Sequence, residues 1–257
     1  MKMENRATLF ELNYSDIFSN PPECVILPWG ATEAHGKHLP YASDVTQAFE
    51  ISKAACTKAN KIGAKALVLP ALPFGNDAQQ LNSFVTIHLN SITAFYILDD
   101  VCSSLKKQGI EKLLIANSHG GNNFKPFIRD LQLKHNIFIL LVDLHLMIPQ
   151  KVIELFEDKG DHAGEIETSL MLYLSENYID RKNFGEGNRV PFAKKSFTQP
   201  GVWTPRPWKE SHPDFGAGNP KLASKEKGEI YFNYLVKEFS KVILDFSEIK
   251  KGELPYL

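Results

Sequence analysis

Residues 25–44 read VILPWGATEAHGKHLPYASD, and the rest of the chain is organised around this stretch. An apolar run at residues 24–27 leads into it and ends at Pro28, which is typical of a buried strand. Carboxylates and imidazoles placed directly after a buried strand are costly unless they face solvent, pair or bind a metal ion. Four such side chains follow here within a short distance: Glu33, His35, His38 and Asp44.

The spacing of these residues suggests a metal site. If residues 33–35 are extended, the side chains of Glu33 and His35 point to the same face and place an oxygen and a nitrogen ligand side by side. Asp44 can join them by folding back across the loop 36–43. This mixture of donors suits Zn²⁺, Mn²⁺ or Fe²⁺ better than Ca²⁺. The alternatives are a polar loop that hydrogen-bonds to backbone, and an ordinary helix-capping role for Asp44.

The composition indicates a globular protein with a large core. Of the 257 residues, 43% are hydrophobic and 23% are charged, and the net charge of −1 argues against a nucleic acid or a membrane surface as partner. The three cysteines lack pairing or CxxC spacing and are interpreted as buried thiols of a reducing compartment. Because we find no apolar signal region and no long apolar run, we expect a cytoplasmic protein.

Apolar segments alternate with amphipathic ones over much of the chain. This alternation predicts βαβ units and an α/β three-layer sandwich, with a mainly parallel sheet of roughly four strands flanked by helices. The predicted strands are residues 24–27, 65–70, 112–116 and 137–142. The predicted helices are residues 45–58, 91–108, 123–134, 149–157, 165–175 and 222–249.

Residues from about 177 to 220 differ in character, because prolines and glycines interrupt any regular pattern there. Long irregular segments inside compact enzymes are usually lids or contacts between subunits. We therefore expect a single domain over residues 1–257 with a lid or oligomer-contact excursion at about 177–220. Trp203 and Trp208 within it fit a subunit interface at least as well as a substrate clamp.

Two further polar clusters follow later elements. Residues 117–122 read NSHGGN and carry His119 at the end of the third predicted strand, where the glycines permit a tight turn and close approach of a ligand. Residues 161–169 read DHAGEIETS at the start of an apolar helix, where acids also have the ordinary role of complementing the helix dipole. Ligands bind at the carboxyl ends of strands in an open parallel sheet, so the clusters after the first and third strands should converge on one crevice.

These three motifs together resemble those of the creatininase (creatinine amidohydrolase) family, over roughly residues 24–175. The resemblance implies a four-stranded parallel sheet, a homohexamer and two divalent metal ions per subunit, zinc with manganese or iron. By motif match, Glu33, Asp44 and His119 hold one ion. His35 and Asp44 contribute to the other, so Asp44 bridges the two. His162 matches the catalytic histidine that gives a proton to the leaving nitrogen.

The chain departs from true creatininase at Gly120 and Gly121, where that enzyme has Tyr-Glu and gains an aromatic contact and a metal ligand. Many relatives with the HGG form carry a Glu in HAGE, as this chain does at Glu165. We therefore expect Glu165 to supply the missing ligand and to act with His162 in catalysis. The tryptophan that closes over creatinine just before the catalytic histidine has no counterpart in residues 157–160, so another small amide is expected as substrate.

Other polar residues of these motifs and loops are expected to lie behind the ligands or next to the substrate. Glu167 either orients a ligand or pairs with an arginine, and an amide-bearing side chain after His119 braces the turn. Residues 77 and 79 follow a strand end and are placed to touch the substrate. The residues of this outer set are His38, Asp77, Asn122, Asp161 and Glu167.

The expected function is that of a metal-dependent amidohydrolase acting on a small amide, a cyclic amide or a formamide. Two metal ions would activate water and polarise the carbonyl, and His162 would protonate the departing nitrogen. One alternative is a formamide deformylase of a flavin-type or deazaflavin-type pathway. Another is a non-catalytic metal-binding oligomer, which would have no need of so many site residues.

Overall fold

The computed structural model describes residues 6–250, 253, 255 and 256. Within these residues the strands are β1 Cys24–Trp29, β2 Ala66–Val68, β3 Lys112–Asn117 and β4 Phe138–Asp143. The α-helices are α1 Tyr14–Ser19, α2 Ser43–Lys61, α3 Ser91–Lys107, α4 Lys125–His135, α5 Pro149–Leu155, α6 Glu165–Ser175, α7 Trp208–Ser211 and α8 Lys225–Glu248. Among the helices so described, none combines the length and the apolar character needed to cross a membrane.

The four strands form one parallel sheet in the order β2-β1-β3-β4. β1 and β3 occupy the centre, and both are buried along their whole length. Strands buried on both faces require continuous apolar sequence, which is the pattern that predicted them. The predicted α/β sandwich with a parallel sheet is confirmed.

Successive residues of the central strands point into two separate cores. Ile26 and Leu114 join the core under α2 and α8, whereas Val25, Leu27 and Ile115 join the core under α3 and α4. The period-two alternation of strand side chains therefore divides one apolar run between two helical layers. α6 packs behind α8 on the first of these faces.

The chain order creates a crevice between β1 and β3. From β1 the chain passes through α2 to β2 on one side, and it returns through α3 to β3 on the other side of β1. Connections that leave neighbouring strands toward opposite faces open a crevice at the carboxyl ends of those strands. Both polar motifs that follow β1 and β3 open into this crevice.

Most helix ends lie within a few residues of the predicted ones, and two helix starts that the predictions did not give have a local reason. α8 begins at Lys225 rather than at residue 222, because Ser224 caps the helix and accepts a hydrogen bond from the Lys227 amide at 3.2 Å. α1 was not predicted, although Asn13 and Asp16 form a capping box at its start. Both ends follow ordinary capping chemistry.

The irregular excursion returns to the motifs through backbone hydrogen bonds. Gly36 donates to the Phe215 carbonyl at 2.8 Å, and His162 and Ala217 exchange amide-to-carbonyl bonds at 3.3 and 2.8 Å. The segment around Phe215 is thereby fixed against the loops that carry His35 and His162. A role of the excursion as a lid or in oligomer contacts stays a prediction.

Candidate metal and catalytic site

The site lies where β1 and β3 end, at the paired residues Trp29 and Asn117. Gly30 then allows the first turn of α2 to come close, because a Cβ at this position would lie 2.5 Å from the Val45 backbone nitrogen. No side chain tolerates such a contact with backbone. The glycine therefore brings Asp44, at the start of α2, next to the end of β1.

Asp44 is fully buried between two imidazoles. Its Oδ1 lies 3.0 Å from His35 Nε2, and its Oδ2 lies 3.1 Å from His119 Nδ1. Asp44 does not cap α2, because the N-cap residue is Ala42 and no side chain makes a capping bond there. One carboxylate thus spans histidines from two segments, which is the arrangement required of a ligand shared by two ions.

The His35 ring is held in one orientation by the backbone. Its Nδ1 lies 3.1 Å from the Glu33 carbonyl oxygen, which can only accept, so Nδ1 carries the proton. Nε2 is left facing Asp44. A backbone partner on one ring nitrogen is the usual way in which a protein directs the other toward a metal.

Glu33 and His119 form the other half of the cluster. Glu33 Oε1 lies 2.8 Å from His119 Nδ1, and the Gln80 amide donates to Glu33 Oε2. His119 Nε2 faces the Asn76 carbonyl at 3.2 Å and Asp77 Oδ1 at 3.1 Å. The Nδ1 of His119 is thus directed at the carboxylates of Glu33 and Asp44.

Burial and mutual charge strongly perturb these groups. Burial raises the pKa of Glu33 to about 7, against the opposing effect of His119. Burial alone would lower the pKa of His35, but the Asp44 carboxylate outweighs it and raises that pKa to about 10. Burial alone would also lower the pKa of His119, but the neighbouring carboxylates outweigh it and raise that pKa well above its usual value. The pKa of Asp44 is lowered, because the two histidines overcome the effect of burial.

The donor set fits divalent metal ions. Asp77 Oδ2 is buried and has no hydrogen-bond partner in the described part of the chain, and Asp44 Oδ2 and Asp77 Oδ1 have only the ring nitrogens of His119 nearby. Unpartnered buried carboxylate oxygens are costly, and a cation among them removes the cost. Ligand atoms within 4.8 Å of one another come from three groups: Glu33, Asp77 and His119; His35, Asp44 and Glu167; Glu33, His35 and His162.

The structure does not bring Glu165 into this cluster, which corrects the expectation that it is a ligand and a catalytic residue. Its Oε1 lies 2.5 Å from Lys227 Nζ, and its Oε2 accepts from the backbone amides of Glu157 and Asp158 at 2.9 and 2.7 Å. Both carboxylate oxygens of Glu165 therefore bind partners outside the cluster. Glu165 joins α6 to the start of α8.

Glu167 stands in the place that was expected of Glu165. It shares a ligand group with His35 and Asp44. Its Oε2 accepts a hydrogen bond of 2.5 Å from the Ala163 amide, and its Oε1 lies 3.9 Å from His145 Nε2. The partners of Glu167 are therefore a backbone amide and a histidine ring, and none of the arginines among the described residues pairs with it.

The turn after β3 has no room for a side chain at Gly121. A Cβ there would lie 2.3 Å from the Asn76 carbonyl oxygen and 2.4 Å from His119 Nε2. Asn122 Oδ1 accepts from the Asn76 amide at 3.1 Å and so braces the turn against this loop. The close approach also places Asp77 beside His119, so a carboxylate reaches the site from the loop rather than from position 121.

His162 lies next to Glu33 with one free ring nitrogen. Its Nε2 donates to the Ala34 carbonyl at 2.8 Å, and its Nδ1 lies 3.8 Å from Glu33 Oε1. Burial, together with the positive charge of His35, holds the pKa of His162 well below its usual value. The ring is therefore neutral at ordinary pH, with Nδ1 available to take up a proton.

Two outer residues lie behind the site. His38 is buried, with its Nε2 2.9 Å from Thr168 Oγ1, and burial lowers its pKa to about 4. Asp161 is exposed and accepts two bonds from Arg206 Nη1, at 3.1 and 2.9 Å. His38 packs the motif loop onto α6, and Asp161 attaches the excursion to the residue before His162.

Sequence reasoning missed Gln80, and it left Trp208 between a subunit interface and a substrate clamp without placing it next to His162. Gln80 binds Glu33 and lies 3.5 Å from His162 Nε2, in a short helical turn, Ala78–Gln80, whose orientation is invisible in the sequence. Trp208 packs its ring against His162, with centroids 4.7 Å apart. No motif marks either residue, since both are positioned by loops from distant parts of the chain.

A family model and known proteins match most of the chain. The family model Creatininase, described as creatinine amidohydrolase, matches residues 11–243. A creatinine amidohydrolase of Pseudomonas putida is 28% identical over 246 residues, which cover 86% of this chain and 89% of that protein.

Two further relatives cover much of the chain. A 2-amino-5-formylamino-6-ribosylaminopyrimidin-4(3H)-one 5'-monophosphate deformylase of Methanothermus fervidus is 30% identical over 194 residues, 72% of this chain and 71% of that protein. A crystal structure from Bacteroides fragilis, provisionally described as a creatinine amidohydrolase, superposes with a TM-score of 0.90 at 34% identity. It covers 97% of this chain and 99% of that one.

Proposed function

This chain belongs to the creatininase family and is a hydrolase of carbon–nitrogen bonds other than peptide bonds, and from that premise we propose that it cleaves a small amide, a cyclic amide or a formamide at a two-metal site. The observation that carries the proposal is Asp44. Its two oxygens face His35 and His119 at 3.0 and 3.1 Å, so one carboxylate serves two imidazoles from the loops that follow β1 and β3.

The ligands divide into two sets around Asp44. Glu33 and His119 would hold one ion, with Asp77 beside them, and His35 and Glu167 would hold the other. We propose zinc with manganese or iron, which the mixture of imidazole and carboxylate donors favours. When bound, such ions act as Lewis acids toward a carbonyl oxygen and lower the pKa of water.

His162 is proposed to move the proton. Cleavage of an amide requires that the departing nitrogen receive a proton before the carbon–nitrogen bond breaks. The Nε2–H of His162 is held by the Ala34 carbonyl, so the exchange takes place at Nδ1. Glu33 Oε1 lies 3.8 Å from Nδ1, so this carboxylate stabilises the ring when Nδ1 carries the proton.

Creatinine is proposed to be a poor substrate. Gly120 and Gly121 replace the aromatic contact and the carboxylate of true creatininase, and residues 157–160 lack its closing tryptophan. A formamide is the second candidate, because the Methanothermus fervidus deformylase is 30% identical over 72% of this chain. Removal of a formyl group from nitrogen needs the same proton transfer to the departing nitrogen.

A non-catalytic metal-binding oligomer is the rival function. A scaffold would gain nothing from the buried imidazole of His162, whose Nε2 is held by the Ala34 carbonyl and whose pKa burial keeps well below its usual value. Groups poised in this way are typical of acid–base sites and are costly elsewhere.

A substrate panel tests the proposal. The purified protein is loaded with Zn²⁺, Mn²⁺ or Fe²⁺, singly and in pairs, and is assayed against formamides, lactams, other cyclic amides and creatinine by mass spectrometry of the products. We expect turnover of at least one non-creatinine amide, and its loss together with the metal in Asp44→Asn. Full metal occupancy without turnover of any amide would support the rival. Turnover of creatinine at a rate comparable with the best substrate would refute the substrate proposal.

We also propose, from the family resemblance, that the chain forms a homo-oligomer, a hexamer, and works in the cytoplasm on a small-molecule amide without nucleic-acid or membrane partners. Light scattering after size-exclusion chromatography measures the particle mass. A monomer at micromolar concentration would contradict the hexamer.

A further inference from the structure

Trp208 brings an aromatic ring to His162 from the irregular excursion. The two ring centroids are 4.7 Å apart, and the planes are inclined by 68°, an edge-to-face contact. Trp208 is only 2% exposed, whereas Trp203 in the same excursion is 82% exposed. The excursion therefore inserts one tryptophan into the molecule and leaves the other on the surface.

The contact completes an enclosure of the His162 ring. His35 lies next to the ring, with centroids 4.3 Å apart and planes inclined by 35°. Nε2 is fixed on the Ala34 carbonyl at 2.8 Å. With His35 and Trp208 against the ring and Nε2 bound, Nδ1 is the ring atom left for proton exchange.

Trp208 is itself held by two neighbours. The His212 ring packs on it with centroids 4.2 Å apart, and the Arg206 guanidinium lies 4.9 Å from the indole. Arg206 also binds both oxygens of Asp161, the residue before His162. Arg206 thus links the indole ring of Trp208 to the side chain of Asp161, the neighbour of His162 in the chain.

We propose that Trp208 is a positioning residue for His162, which fixes the imidazole so that Nδ1 faces the departing nitrogen. The mechanistic part of this inference rests on the proposed function.

The size of the effect follows from geometry. A displacement of a proton-transfer group by about 1 Å can cost about 100-fold in rate. Removal of the indole ring allows the side-chain torsions of His162 to vary, and it does not remove a substrate-binding group. We therefore expect kcat to fall by about 10-fold to 100-fold and KM to change by less than about threefold.

The variants separate the effect of the aromatic ring at position 208 from the effect of apolar side-chain volume. Trp208→Leu keeps an apolar side chain and removes the aromatic contact, whereas Trp208→Phe retains an aromatic edge and should recover kcat to within about threefold of the wild type. Trp203→Leu is the matched surface control. Metal content and thermal midpoint are measured for every variant, and kcat and KM are measured on the best amide of the panel. A folded, metal-loaded Trp208→Leu protein with wild-type kcat would overturn the inference.

A second measurement does not depend on turnover. Diethyl pyrocarbonate acylates accessible neutral imidazoles, and peptide mass spectrometry resolves the modified histidine. In the metal-loaded protein, His162 should be protected in the wild type, in Trp208→Phe and in Trp203→Leu, and should react at least about fivefold faster in Trp208→Leu. Equal reactivity of His162 in wild type and Trp208→Leu would refute the inference, even if the wild type hydrolysed no amide and the proposed function had failed.

Discussion

Glu165 and Glu167 lie two residues apart on α6 and have different partners. A helix turns by about 100° per residue, so side chains two positions apart point in nearly opposite directions. Glu167 faces the cluster of His35 and Asp44, and Glu165 faces Lys227 on α8. Sequence alone cannot distinguish the two acids, because both stand in the first turn of the same helix.

The two glutamates predict opposite outcomes for the same substitution. Glu167→Gln should lose one of two bound metal ions and most of the activity, since a charged ligand is replaced by a neutral one of the same shape. Glu165→Gln should keep both ions and lose about 1–3 kcal/mol of stability, because the buried partner of Lys227 loses its charge. Elemental analysis and chemical denaturation measure the two effects. Metal loss in Glu165→Gln with full occupancy in Glu167→Gln would reverse the assignment.

Protonation of two histidines predicts how metal uptake depends on pH. The pKa of His35 is raised to about 10, and that of His119 is also raised. Near neutral pH both rings therefore carry a proton on each nitrogen, and a metal ion must displace one proton from each ring. Metal affinity should therefore rise as the pH rises from about 6 to 8, with release of about two protons per chain. Calorimetric titration in buffers of different ionisation enthalpy counts these protons. Uptake without proton release, or affinity that falls with rising pH, would contradict the assignment.

At the scale of elements, the turn that follows β3 depends on its packing against the loop 76–77. Gly121 lies against the Asn76 carbonyl, whereas a Cβ at Gly120 would meet nothing within 4 Å. The two glycines are adjacent in sequence, yet only one has a close neighbour. Close approach, rather than turn conformation, distinguishes them.

We predict that Gly121→Ala displaces His119 and lowers metal occupancy and turnover by about 10-fold or more, since its Cβ would lie 2.3 Å from backbone oxygen. Gly120→Ala is the matched control and should remain within about twofold of the wild type. Elemental analysis and steady-state kinetics compare the pair. Equal behaviour of the two variants would show that the turn tolerates a side chain at both positions.

The rotation of α6 about its axis is set by α8. At Gly228 the two helices approach so closely that a Cβ would lie 1.9 Å from the Ser169 carbonyl oxygen. Ser224 reinforces the contact by donating its amide to Ser169 Oγ at 3.2 Å. This contact turns Glu167 toward the sheet, and it explains why Glu165 meets Lys227.

At the scale of the whole molecule, the buried charges of the site link metal binding to folding. Carboxylates gathered away from water repel one another unless cations lie among them. An unfolded chain lacks this arrangement, so metal binds the native state and stabilises it. The site and the stability of the fold are therefore coupled.

Chelation should lower the thermal midpoint of the wild type by about 5–10 °C, as expected when a ligand at about 100 times its Kd is removed from a chain of this size. Addition of Zn²⁺ or Mn²⁺ should restore it, and Asp44→Asn should respond to neither treatment. Calorimetry with parallel elemental analysis measures both quantities. An unchanged midpoint after verified metal removal would show that the site and the fold are independent.

The sequence by itself determined the class of fold and the candidate ligands that follow β1 and β3. Strands buried on both faces need continuous apolar residues, so their positions are written locally. Glu33, His35, Asp44 and His119 lie within or next to motifs that directly follow strand ends, and parallel strands bring their carboxyl ends to one edge of the sheet. The structure brings these four residues together where the sequence predicted a crevice.

Only the tertiary structure decided which acid of α6 joins them and which distant residues complete the site. The choice of Glu167 depends on the contact between α6 and α8 at Gly228, which no local pattern reveals. Gln80 and Trp208 arrive from irregular segments whose course is fixed by hydrogen bonds and packing with remote parts of the chain. Local propensity determines where helices and strands form, whereas the rotation of a helix and the path of a loop follow from the packing of the whole molecule.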